Sequence, residues 1–198
     1  MGGDKLMAKK PRYLALGDSY TIGEAVDFSG NFPYQLSKKM EWESPKILAK
    51  TGWTTRNLME AIQSENLNPE YDFVSLLIGV NNQYQGKSRK IYVKELEKLI
   101  AFGLSKVDNS KNFILLSIPN YGITPFGENW SSYITSELIW YNEQIKEAAA
   151  KYDLTYVDIY DISLLAEKNL SLLAKDMLHP SAEMYGLWVE KIIQIITN

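Results

Sequence analysis

The sequence predicts an α/β fold of three layers, with helices on both faces of a parallel sheet. Three observations predict it. Short apolar runs alternate with amphipathic stretches along the whole chain, in the order βαβαβαβαβα, as right-handed crossovers between parallel strands require. The runs are short and almost wholly apolar, as strands buried on both faces are. Four of the five runs stop directly at Gly, Thr or Pro, residues that end strands and open turns, and the fifth stops at Tyr160-Asp161.

The strands are expected at Tyr13–Leu16, Lys46–Lys50, Asp72–Ile78, Asn112–Ile118 and Leu154–Ile159. The helices between and after them show an apolar face at a spacing of three and four residues. Thr54–Ser64 carries Leu58, Ala61 and Ile62, with Thr54 or Thr55 as N-cap. Ser88–Val107 carries Ile91, Leu96, Leu99 and Ile100, and Ser132–Lys151 carries Ile134, Leu138, Tyr141 and Ile145. Pro180–Ile196 carries Met184, Leu187, Trp188, Ile192 and Ile195, and Pro180 fits the first helical position with His179 as N-cap. The longest irregular stretch, Pro119–Trp130, has the length and the Gly and Pro content of a lid or binding loop.

With 198 residues, a single domain over 1–198 is expected. Its residues 1–11 read as a flexible or expression-derived N-terminus. The hydrophobic fraction of 45% and charged fraction of 23% are those of a globular domain, which excludes a disordered or collagen-like chain. A net charge of −3 offers no basic face for nucleic acid. The absence of cysteine removes disulfides, thiol nucleophiles and zinc–thiolate sites together. The single histidine, His179, with scattered carboxylates, matches no metal spacing, so neither metal nor cofactor is expected. The longest apolar stretch, Phe73–Val80, is far below the ~20 residues of a membrane span. The N-terminal stretch lacks the apolar core of a signal peptide, so a cytoplasmic location is expected as written, and a secreted or periplasmic one if a leader was removed. The composition is silent on oligomeric state.

In a parallel sheet all strand C-termini share one rim, where open α/β sheets bind ligands. Ser19, Gly52, Asn81 and Asn120 each follow a strand, at separations of 33, 29 and 39 residues, and one βα repeat takes about 30 residues. The spacing therefore brings these polar groups toward a common edge. Ser19 by itself reads more simply as a helix N-cap. Neither a dinucleotide fingerprint nor a Walker loop nor a G-x-S-x-G elbow is present. Asp176, three positions before His179, is placed to accept a hydrogen bond from the ring and fix its tautomer, leaving the other nitrogen as a base. Asp158 and Asp161 are rival acids, read more simply as caps of the next helix. A backbone N–H at Gly52 and a side-chain amide at Asn81 are suitable oxyanion donors. Trp53, Tyr84, Tyr121, Phe126 and Trp130 fall in rim loops and are expected to line a pocket for an acyl chain or sugar.

Four blocks in order, Gly17-Asp18-Ser19-Tyr20, Gly52, Gly79-Val80-Asn81-Asn82 and Asp176-Met177-Leu178-His179, resemble the SGNH, or GDSL-like, hydrolases. The resemblance spans the chain from end to end. It implies a flavodoxin-like five-stranded parallel sheet of order 2-1-3-4-5 and a serine esterase. It implies Ser19 as nucleophile, His179 as base and Asp176 as acid. It implies an oxyanion hole from the Ser19 and Gly52 amides and the Asn81 side chain. The partner implied is a small-molecule, lipid or acetylated-carbohydrate ester. Two positions depart from the family pattern. Tyr20 stands where the motif has Leu, and Asn82 stands where the family usually has Asp. The run Asn81-Asn82-Gln83-Tyr84 is similar to a bacterial subgroup. The alternatives on the same fold are a non-catalytic acyl- or carbohydrate-binding domain and an acyltransferase.

Overall fold

The computed structural model describes residues 7–198. The expected loose N-terminus lies partly outside the described residues. Within them, Pro11 and Arg12 are already tied down, since the Pro11 carbonyl accepts from the Glu43 amide (2.9 Å) and the Arg12 amide donates to the Asp72 carboxylate (2.7 Å).

Five strands form one sheet: β1 Tyr13–Gly17, β2 Lys46–Ala49, β3 Phe73–Leu77, β4 Phe113–Leu116 and β5 Thr155–Val157. All pairs are parallel and the order is β2-β1-β3-β4-β5. Every residue of β1 and β4 is buried, which explains why neither shows the alternation of a half-exposed strand.

The helices are α1 Ser19–Ile22, α2 Phe32–Lys39, α3 Thr55–Ser64, α4 Val80–Tyr84, α5 Arg89–Leu104, α6 Ser131–Lys151, α7 Tyr160–Ser163 and α8 Ala182–Ile196. The passage from β1 to β2 runs one way across the sheet and the later passages run the other. With right-handed crossovers this puts α2 on one face and α3, α5 and α6 on the opposite one. The packing agrees: α2 lies against α8, α3 against α5, and α6 beside β4 and β5. The reversal of strand order falls between β1 and β3, where a crevice opens at the strand C-termini.

Helix α2 was not evident from periodicity. It is short, and Asn31 marks it by accepting from the Tyr34 amide as N-cap, with Pro33 in the first turn. The start of α8 differs from expectation. Ser181, not His179, is its N-cap, accepting from the Met184 amide at 3.2 Å, while Pro180 forms a bridge with Leu173. A hydroxyl caps better than an imidazole, and the His179 ring is engaged elsewhere. Behind it, Phe32, Tyr185 and Trp188 are fully buried and pack as a cluster, and Tyr20 leans on Trp188 at 6.3 Å between ring centroids.

Candidate active site

Ser19 sits at the first turn after β1. It is not the N-cap: that is Asp18, whose Oδ1 accepts from the Tyr20 amide at 3.0 Å. The chain turns tightly here because Gly17 lets it. A Cβ at position 17 would lie 2.1 Å from Thr21 Oγ1 and 2.7 Å from the Leu77 carbonyl oxygen. Asp18 is fully buried with its second carboxyl oxygen unpartnered. Burial pushes its carboxyl up to about 7, and the bond from the Tyr20 amide offsets only part of that.

The loop before α8 presents the histidine. Asp176 Oδ1 accepts from the amides of Leu178 and His179, both at 3.0 Å, and Oδ2 faces His179 Nδ1 at 2.6 Å. Met177 takes a left-handed backbone conformation (φ 57°), which folds the chain back so that one carboxylate reaches all three donors. The loop is closed by the Ala174 amide donating to the His179 carbonyl at 2.8 Å and the Ser181 amide to Leu172 at 2.9 Å. Burial pushes the Asp176 carboxyl up, but the ring and the two amides outweigh it and hold it below its usual range.

His179 Nε2 lies 3.0 Å from Ser19 Oγ. Since an ionised carboxylate only accepts, Nδ1 carries the proton toward Asp176, and Nε2 is left to accept from the serine hydroxyl. Tyr20 meets the imidazole edge-on at 5.7 Å between centroids. The residue at the variant motif position thus joins the α8 aromatic cluster to the histidine.

Two loops complete the crevice. Gly52 follows β2 in a left-handed conformation (φ 85°), with nothing within 4 Å of where its Cβ would be. The requirement for glycine is therefore conformational. Among the described residues, neither the Gly52 nor the Ser19 amide donates to another protein group. Asn81, in α4, donates one side-chain hydrogen to the Trp53 carbonyl at 2.9 Å, and the amide has a second to give.

Ser19, Gly52, Asn81 and His179 line one cavity of about 270 Å³ with Tyr20, Val80, Tyr84, Tyr121, Phe126 and Leu178. A groove of about 560 Å³ adjoins it. The two share Tyr84, Tyr121 and Phe126, and the groove adds Gln83, Trp130 and Tyr133. The Pro119–Trp130 loop supplies Tyr121, Phe126 and Trp130 to these walls.

Of the residues expected from sequence, Ser19, His179, Gly52, Asn81, Tyr84 and Tyr121 come together in the smaller cavity, with Asp176 behind the histidine. Trp130 lines the groove instead. Trp53 lines neither: its ring packs against the core, and it serves through its backbone carbonyl. Asn120 is a structural residue, its side chain spent on the Gly122 amide, Thr135 and Tyr160. Asp158 is bound to Ser117 and the Tyr160 amide. Among the described residues, no group of three or more His, Cys, Asp or Glu is placed to hold a metal ion, and no helix is long and apolar enough to cross a membrane. Sequence reasoning missed Glu95, a carboxylate only 3% exposed on α5. Its signal was an acid on the apolar face of that helix, between Tyr92 and Leu99.

Compared with known proteins, the chain matches the GDSL-like Lipase/Acylhydrolase family over residues 15–187. Solved structures share the fold at low identity. A member of the lipolytic protein G-D-S-L family from Veillonella parvula is 18% identical, with a TM-score of 0.75, covering 94% of this chain and 98% of its own. The acetylxylan esterase Axe2 from Geobacillus stearothermophilus is 20% identical, with a TM-score of 0.70, covering 96% and 95%. A GDSL-like lipase from Bacteroides thetaiotaomicron is 16% identical, with a TM-score of 0.72, covering 94% and 88%. No curated protein sequence matches the chain.

Proposed function

The chain belongs to the GDSL-like lipase/acylhydrolase family and is an ester-bond hydrolase, and we propose that it acts through Ser19, His179 and Asp176 on short-chain esters of a carbohydrate alcohol. The observation that carries the reading is the continuous hydrogen-bonded line from Ser19 Oγ through the imidazole to Asp176, 3.0 Å and 2.6 Å long.

In this reading Ser19 Oγ attacks the ester carbonyl as His179 Nε2 takes its proton. The carbonyl oxygen, now negative, accepts hydrogen bonds from the Ser19 and Gly52 amides and from Asn81 Nδ2. Collapse of the tetrahedral species expels the alcohol, which receives the proton from His179. Water then enters, gives its proton to His179, and its oxygen attacks the acyl-enzyme. The acid departs and Ser19 regains its hydrogen. Asp176 holds the ring in the required tautomer throughout and faces the imidazolium while it is charged.

The cavity at Ser19 is small and mostly apolar, with Val80, Leu178 and Phe126 in its walls, and suits an acetyl or similar short acyl group. The groove is larger and bears exposed rings, Trp130 at 70%, Tyr84 at 60% and Tyr133 at 58%. Open aromatic faces flanked by phenol and amide groups suit a sugar ring, whose C–H face stacks while its hydroxyls bond outward. A lipid chain would be better served by an enclosed aliphatic channel. The fold shared with an acetylxylan esterase supports the same choice.

The test is labelling with a p-nitrophenyl phosphonate, followed by turnover of p-nitrophenyl esters from C2 upward and of acetylated xylooligosaccharides. One adduct on Ser19, a steep fall in rate with chain length, and a Trp130→Ala variant whose KM rises more for the oligosaccharide than for p-nitrophenyl acetate are expected. A Ser19→Ala protein that keeps its activity overturns the mechanism. Preference for long acyl chains overturns the substrate class.

A further inference from the structure

The loops that carry Gly52 and Asn81 come from different strands, yet their donors must converge on one oxygen. Thr55 and Asn82 join them. The Thr55 amide donates to Asn82 Oδ1 at 3.0 Å, and Asn82 Nδ2 donates to Thr55 Oγ1 at 2.8 Å. Thr55 Oγ1 in turn donates to Glu95 Oε1 at 3.0 Å, and Arg56 Nε faces Glu95 Oε2 at 2.6 Å. Thr55 is fully buried, Asn82 is 1% exposed and Glu95 is 3% exposed. Two outer struts brace the same loops, from Asn81 to the Trp53 carbonyl and from Gln85 to the Gly52 carbonyl.

The direction of every bond in this line is forced. The Thr55 amide can only donate, so the Asn82 oxygen faces it, and the Asn82 nitrogen faces the threonine hydroxyl. That hydroxyl has one hydrogen, and the carboxylate of Glu95 needs it. A buried carboxylate is costly and adds little net stability, so its worth here lies in fixing geometry.

We propose that Glu95, Thr55 and Asn82 form a positioning relay that sets the spacing of the Gly52 and Asn81 donors, and that the amide at position 82 is matched to the carboxylate at position 95. The proposal rests on the ester-hydrolase reading above for its catalytic consequence. None of the three residues lines the Ser19 cavity, so they act through their neighbours. An aspartate at position 82, the residue the family usually has there, would place a second acceptor against the Thr55 hydroxyl, and one hydrogen cannot serve both. Changing Glu95 to Gln removes the conflict. The glutamine amide then donates to Thr55 Oγ1, and the hydroxyl turns its hydrogen to the introduced carboxylate at position 82.

The experiment compares the parent protein, Asn82→Asp, Glu95→Gln and the double variant. Rates are taken per active site, counted by phosphonate titration, on p-nitrophenyl acetate. Asn82→Asp is expected to lose about 10- to 100-fold in kcat with little change in KM, as displaced donors do. Glu95→Gln is expected to lose less, because its amide oxygen still accepts from Thr55. The double variant is expected to recover to within about threefold of Glu95→Gln, a strongly non-additive cycle. A fully active Asn82→Asp, or a double variant no better than Asn82→Asp, overturns the relay. A parent protein that neither turns over the ester nor takes up the phosphonate overturns the hydrolase reading instead. The match is then decided by urea unfolding of the same four proteins: recovery of stability in the double variant supports it, and additive losses overturn it.

Discussion

Replacing Asp176 with Asn changes one atom of the proposed catalytic line and reverses a proton. The side-chain oxygen of Asn keeps the bonds from the Leu178 and His179 amides, so the loop retains its shape. The atom facing His179 Nδ1, now 2.6 Å from a carboxylate oxygen, becomes an NH₂ donor. Nδ1 must then accept, the ring hydrogen moves to Nε2, and Nε2 points a donor at Ser19 Oγ. A nitrogen already protonated cannot take the serine hydrogen. Tautomer reversal of this kind costs about 10⁴ in turnover where the acid is wholly enclosed. The Asp176 side chain is 32% exposed, so water can partly support the productive tautomer, and its charge is screened. We therefore expect a loss of about 10³ in kcat/KM, or about 4 kcal/mol in the barrier, with circular dichroism and melting temperature close to those of the parent. The assay is hydrolysis of p-nitrophenyl acetate near neutral pH, with parent and variant compared in the same buffer. A variant within tenfold of the parent would show that the ring is held by something other than Asp176 and would refute the argument.

Asn81→Ala removes one proposed oxyanion donor and the strut to Trp53, and should lower kcat by roughly 10²–10³; full activity in steady-state kinetics would remove Asn81 from the mechanism. Asp18, whose carboxyl is raised by burial to about 7, binds its proton more tightly folded than unfolded. Its favourable contribution to stability is therefore complete below about pH 4 and is lost as pH rises toward 7. Asp18→Asn keeps the cap to Tyr20, so its melting temperature should gain on that of the parent across this interval, and parallel curves would contradict the assignment. Gly17→Ala would press a methyl against Thr21 and the Leu77 carbonyl; since a backbone oxygen cannot move aside, urea unfolding should show a loss of about 1–3 kcal/mol or more.

All five strands were legible as short apolar runs, and the four longest helices because each carries its own apolar period. Helix α2 was not, because its eight residues hold too few turns to show one, and only the Asn31 cap and Pro33 mark it. The line Ser19–His179–Asp176 was legible through the resemblance of four ordered blocks to a known family; the residues alone offered a strand-end serine, readable as an N-cap, and a lone histidine with an acid three residues before it. What the sequence could not show was where the histidine sits. Ser181 was available as a cap, so His179 belongs to the loop held by Asp176 rather than to α8. The aromatic residues were readable as rim residues, but a rim position does not say which way a ring turns. Trp53 turned to the core and Trp130 to the groove. Glu95 lay outside every motif because its partners, Thr55 and Arg56, are 40 and 39 positions away and meet it only once α3 and α5 are packed.

The imidazole between Ser19 and Asp176 is the protein's only one. In a ¹⁵N spectrum of the intact chain every imidazole-nitrogen signal therefore comes from the candidate active site, with no resonance assignment needed. One nitrogen should show a bound hydrogen and the other a bare lone pair, and inhibitor binding, ionisation and each substitution described above can be followed at those two signals alone.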